Sequence, residues 1–149
     1  MSMFHSLNTT STALTSQRLR MDVVSSNMAN SETTRGKYVD GEWKPYQRKS
    51  VVLQSKENGF SGYLQRASSG GSEGSGVKVA KIVEDQTPGK LEYNPDHPDA
   101  NEEGYVEMPN VDPLREMVDL MSATRSYEAN VTVMNASKGM LMKALEIGK

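Results

Sequence analysis

The sequence predicts an α+β protein with a long helix at each end and a small β-rich module between them. Three observations predict it. Residues 112–149 carry apolar positions at alternating steps of three and four: Met117, Leu120, Tyr127, Val131, Met134, Leu141 and Leu145, with polar Thr124 and Lys138 in the same series. That is a heptad pattern, and it keeps one stripe of a helix facing a partner. The first thirty residues space Leu7, Leu14, Met21 and Met28 at sevens. Between 31 and 111 the helical period gives way to short β-compatible runs separated by Gly, Pro, Asn and Asp.

The N-terminal stripe is widened by Phe4, Ala13 and Val24, and its interior is rich in Ser and Thr. These are mediocre helix formers, so packing supplies most of the helix's stability. It reads either as a terminal helix covering its own domain or as one that orders on assembly; the Ser/Thr content favours the second. The helix is expected to end near Asn30, because Asn27 and Asn30 tolerate turn geometry and Ser31, Thr33, Thr34 and Gly36 follow.

Tyr38 to Trp43 holds an Asp-Gly pair between short runs, a hairpin signal. Tyr46 to Leu53 reads as a strand with Pro45 just before it. The stretch 55–76 is loop-like: six Gly and five Ser fall between Gly59 and Gly76. Phe60, Tyr63 and Leu64 interrupt it as possible anchors. Val77 to Glu84 is a strand whose alternation slips between Val79 and Ile82. Thr87-Pro88-Gly89 turns the chain, Leu91 and Tyr93 alternate in the next strand, and Tyr105 to Met108 closes the set. Asp112 suits the N-cap and Pro113 the first position of the last helix, and Gly148 its stop. That helix is about 50 Å long at roughly 1.5 Å per residue. The division expected is therefore 1–30 with 112–149 as one helical domain, and 31–111 as the β-rich module.

Composition narrows the function. At 149 residues the chain is 36% hydrophobic and 6% aromatic, too little apolar material for a large private core. The net charge of −2 argues against a general nucleic-acid binder. With no cysteine there are no disulfides, thiolate metal sites or Cys nucleophiles. The N-terminus lacks the pattern of a Sec-type signal peptide, and no run approaches a membrane span. His97 sits among Asp96, Asp99, Glu102 and Glu103, but without the spacing of a calcium loop; a solvated acidic turn is the favoured reading. No phosphate-binding loop, nucleophile elbow or dinucleotide fingerprint occurs. The ten methionines, most of them on the helical stripes, read as gap-fillers or as a surface that packs in slightly different settings. No catalytic residue, metal, cofactor or small-molecule substrate is expected.

Asn27-Met28-Ala29-Asn30-Ser31-Glu32-Thr33, followed by Gly36 and Tyr38, resembles the N-terminal signature of bacterial flagellar axial proteins, in which Gly and Tyr are usually adjacent; here Lys37 separates them. Glu116-Met117-Val118, Ala123, Arg125, Tyr127-Glu128-Ala129-Asn130, Met140-Leu141 and Leu145 are similar to that family's other end. The short length, Pro109-Asn110-Val111-Asp112 and the Tyr105 strand are similar to its proximal rod members. The resemblance spans essentially the whole chain. It implies terminal helices paired as a coiled coil and building the inner tube of a rod, the β module outward, and 55–76 as an insertion. It also implies export unfolded through the flagellar type III apparatus, and a place in the periplasm-spanning basal body. The partners implied are copies of the chain, other rod proteins, and membrane-ring and rod-adaptor proteins at the base. The apolar surplus beyond the seam, at Leu114, Val118, Met121 and Met142, with Arg125 and Asn130, is the expected interface with neighbouring subunits. A soluble coiled-coil adaptor and a small enzyme built on the β module are the competing readings.

Overall fold

The computed structural model describes residues 3–39, 41–56, 64 and 76–148. Helix α1 spans Met3–Ala29, and helix α2 spans Pro113–Ile147. Between them lie β1 (Lys37–Val39), β2 (Glu42–Lys44), β3 (Lys49–Ser55), β4 (Val77–Glu84), β5 (Leu91–Tyr93) and β6 (Tyr105–Glu107). The strands form three two-stranded sheets: β1 with β2, β3 with β4, and β5 with β6. The protein is thus α+β, with short strand pairs between long terminal helices. No helix among the described residues is long and apolar enough to cross a membrane.

Local chemistry sets these boundaries. Past Ala29 the Asn30 amide still reaches Ser26 O at 3.2 Å, and Thr33 N closes a turn on Asn30 O. At the start of α2, Asp112 Oδ1 accepts from Leu114 N at 3.0 Å, and Glu116 N makes the first helical bond to Asp112 O. The β1–β2 hairpin pairs Val39 with Glu42, and Gly41 takes a φ of 91°, which suits glycine. The strand expected from Tyr46 begins only at Lys49, because the intervening backbone is committed elsewhere. Tyr46 N donates to Thr33 O, and Arg48 N donates to Asn110 Oδ1 at 2.8 Å. Of the 55–76 stretch, only its two ends and Leu64 lie within the described residues.

The chain's contacts fall into two compact units. The first comprises Met1–Leu19, Val52–Lys81 and Ala123–Lys149. Its buried residues include Thr10, Ser16, Ala123 and Ser137. The hydroxyls of Thr10, Thr12 and Ser16 donate to the carbonyls of Ser6, Thr9 and Thr12, one turn back. Val77 N donates to Thr12 Oγ1 at 3.2 Å, which ties the start of β4 to α1. The second unit comprises Arg20–Val51 and Ile82–Ser122. Val23, Val24 and Val106 are its buried aliphatic side chains, alongside fully buried Asn27 and Glu116.

Candidate assembly surfaces and a buried polar cluster

The second unit holds a polar cluster built from three elements. Asn27 lies in the last turns of α1, Lys49 opens β3 with Arg48 just before it, and Glu116 lies in the first turn of α2. Asn27 and Glu116 each have 0% relative exposure. Asn27 Nδ2 donates to Lys49 O at 2.8 Å and to Glu116 Oε2 at 2.9 Å. Its Oδ1 accepts from Lys49 N at 2.9 Å and from the Tyr46 hydroxyl at 3.1 Å. Two donors and two acceptors are all that a carboxamide offers in this setting, and all four are engaged. Glu116 Oε1 accepts from Arg48 Nε at 2.6 Å. Arg48 also lies 3.4 Å from Asp119, which takes Arg20 at 3.3 Å. Arg48 thus gives the buried Glu116 its counter-charge, as buried charge requires, while Arg20 and Asp119 extend the pairing towards the surface.

The remaining signature residues frame this cluster. Asn30 Nδ2 bonds Ser26 O, and Thr33 Oγ1 bonds Asn30 Oδ1. Ala29 is exposed. Gly36 N donates to Lys44 O at 2.9 Å, and a Cβ on Gly36 would lie 2.7 Å from Tyr46 Cα and N. A side chain there displaces backbone, so the close approach itself requires glycine. Tyr38 is exposed and packs on Trp43 across the hairpin, with ring centroids 5.1 Å apart.

Along α1, Leu7, Leu14, Met21 and Met28 are all half-buried, flanking Thr10, Ser16, Val23, Val24 and Asn27, which are the buried positions. Along α2, Leu120, Thr124, Tyr127, Val131, Met134 and Leu141 are half-buried, whereas Met117, Lys138 and Leu145 are exposed. The buried positions there are Glu116, Ala123 and Ser137, each one residue before a member of the heptad series. Leu114, Val118, Met121 and Met142 are exposed, as is Arg125. Asn130 is half-buried and donates to Ser126 O at 2.8 Å.

Sequence reasoning did not single out Arg48, and it read Asn110 only as part of the Pro109-Asn110-Val111-Asp112 motif. Arg48 reads as an ordinary polar strand position, and its counter-ion lies 68 residues away. Asn110 accepts from Arg48 N and donates to the carbonyls of Asp85 and Thr87. Its place before an N-cap was visible, but its three targets were not. The acidic turn is likewise engaged internally: Asp99 takes Arg35 at 2.6 Å and the Thr34 hydroxyl at 2.7 Å, and His97 Nδ1 accepts from Asp99 N. A cavity of about 290 Å³ beside it is lined by Glu32, Glu92, Asn94, His97, Val106 and Met108. Among the described residues no group of His, Asp or Glu is placed to hold a metal ion.

Comparison with known proteins follows the same outline. A family described as "Flagella basal body rod protein" matches residues 7–36, and one described as "Flagellar basal body rod FlgEFG protein C-terminal" matches 102–147. The flagellar basal-body rod protein FlgC of Bacillus subtilis is 67% identical over 150 residues, covering all of both chains. The chain belongs to the FlgC family. FlgC of Borreliella burgdorferi is 45% identical, with 99% of this chain and 98% of that one covered. FlgC of an Escherichia coli strain is 46% identical, with 92% and 91% covered. The two family matches take in Asn27, Gly36 and all of α2. Tyr38, Arg48 and Lys49 fall in neither.

Proposed function

We propose that the chain is a structural subunit of the proximal rod of the flagellar basal body and catalyses no reaction. Membership of the FlgC family supports the reading, and one observation carries it to the molecule. Leu114, Met117, Val118 and Met121 follow each other at steps of three, one and three on α2, and each is 48% exposed or more. Such a stripe on a folded chain marks an interaction surface. Among the described residues, by contrast, the buried apolar side chains are Val23, Val24, Val106 and Ala123. The terminal helices supply the polymerising surfaces, with the Leu7/Leu14/Met21/Met28 and Leu120/Tyr127/Met134/Leu141 stripes facing a partner helix. Leu114, Val118, Met121, Met142, Arg125 and Asn130 meet neighbouring subunits. Contacts of this kind between unlike surfaces do not close on themselves and generate a helical array.

The partners proposed are copies of the chain, other rod proteins, and the ring and adaptor proteins at the base. The chain reaches its periplasm-spanning site unfolded, through the type III export apparatus, and there carries torque. Val118→Asp tests the surface. The isolated variant should keep its parent's stability within about 0.5 kcal/mol, as exposed substitutions do. In a strain lacking the native copy it should leave cells non-motile in soft agar, with basal bodies short of a rod. Normal swimming would sink the assignment.

A further inference from the structure

We propose that Asn27, Glu116 and Arg48 form a register lock, which admits one alignment of α1 on α2 and does so only with the start of β3 docked. The need for a lock follows from the sequence. On α1 the apolar stripe repeats Leu7, Leu14, Met21, Met28, and on α2 it repeats Leu120, Tyr127, Met134, Leu141. A seam built of these stripes repeats every seven residues, about 10 Å at roughly 1.5 Å per residue, so it offers a second alignment one heptad away. Methionine adapts to either setting, so the apolar seam discriminates weakly between registers.

The polar cluster discriminates strongly. Its Asn27–Glu116 bond joins α1 directly to α2, between side chains of 0% exposure. A slipped register breaks that bond and leaves buried polar groups unpaired, which is heavily disfavoured. A buried polar pair in a helical seam fixes alignment in this way in coiled coils. Here the pair has a third member. The Asn27 carboxamide engages both the N–H and the C=O of Lys49, as a neighbouring strand would. Arg48, the residue before it, brings the counter-charge to Glu116 at 2.6 Å. The helices therefore find their register through the middle of the chain. Aspartate at 27 would lack both donors, and glutamine is one methylene too long for the same four partners.

The absence of cysteine makes the test direct. Cysteines introduced at the exposed positions Asp22 on α1 and Ser122 on α2 carry spin labels, and pulsed dipolar spectroscopy on the full chain reads the distance between them. The parent should give one narrow distribution. Glu116→Gln keeps an acceptor for Asn27 and should keep that distribution. The triple variant Asn27→Leu, Glu116→Leu, Arg48→Met replaces the cluster by apolar side chains. It should retain the helical circular dichroism yet show a second, resolved distance, from helices offset along their axes by one heptad, about 10 Å of rise. A single population at the parental distance in the triple variant would overturn the lock. So would loss of its helical signal, which would make the cluster a general stabiliser, or a broad distribution in the parent.

Discussion

Asp99 accepts hydrogen bonds from the Arg35 guanidinium and the Thr34 hydroxyl. The Arg35 bond, then the Thr34 bond, hold its carboxyl below the usual aspartate range, against a smaller opposing effect of burial. A depressed carboxylate adds stability that is fully present above the ordinary aspartate value and is lost as pH falls through the lowered one. Asp99→Asn should therefore lower the neutral plateau of a stability–pH curve measured by urea unfolding and flatten its acid limb, so that the variant and parent curves converge at low pH. The effect should shrink in high salt, because the Arg35 side chain is 53% exposed. The sequence placed Asp99 in a solvated acidic turn beside His97. Its pairing with a residue 64 positions earlier is not legible from spacing, since it arises only when the chain folds back. The same holds for Arg48 and Glu116. Asn27 was legible as a signature residue but not as a buried bridge, because carboxamides suit turns as readily as networks.

At the scale of elements, alternation and turn chemistry located most strands. β4 and β5 begin where their apolar alternation begins. β3 starts late because Tyr46 and Arg48 have other backbone partners, which no local pattern reports. The heptad period drew the inward line of α2 through Met117, Leu120, Tyr127 and Met134, whereas the buried Glu116, Ala123 and Ser137 lie one residue before members of the series. Large apolar side chains stand on both sides of this buried line, while small Ala123 and Ser137 lie where the packing is tightest. Half-buried Met134 and exposed Val118 are thus expected to differ. Met134→Asp brings an unpaired charge into a packed stripe and should lower the chain's own stability by about 1–3 kcal/mol, visible as a lower thermal midpoint, besides abolishing swimming. An unchanged midpoint would place Met134 outside the packed stripe.

For the molecule as a whole, composition already indicated a thin core, and the buried aliphatic side chains of the described residues are few and small. Stability in such a chain is uneven, lowest where few apolar contacts hold the backbone. Hydrogen exchange on the dilute protein should be fastest near 3–15 and 135–147, slowest around Val23, Asn27 and Glu116, and should slow at both ends on assembly. Full protection of both ends in the monomer would contradict the rod reading. The hydroxyl face of α1 bears on a different property. Thr10 and Ser16 occupy buried positions that hydrocarbon fills in most helices, with their hydroxyls on their own backbone. When that helix melts, these two positions turn hydroxyl rather than hydrocarbon to water. With a mean hydropathy of −0.62, the unfolded chain presents little surface on which copies coagulate. Colloidal stability of the unfolded state is thus built into the face that keeps the folded core small.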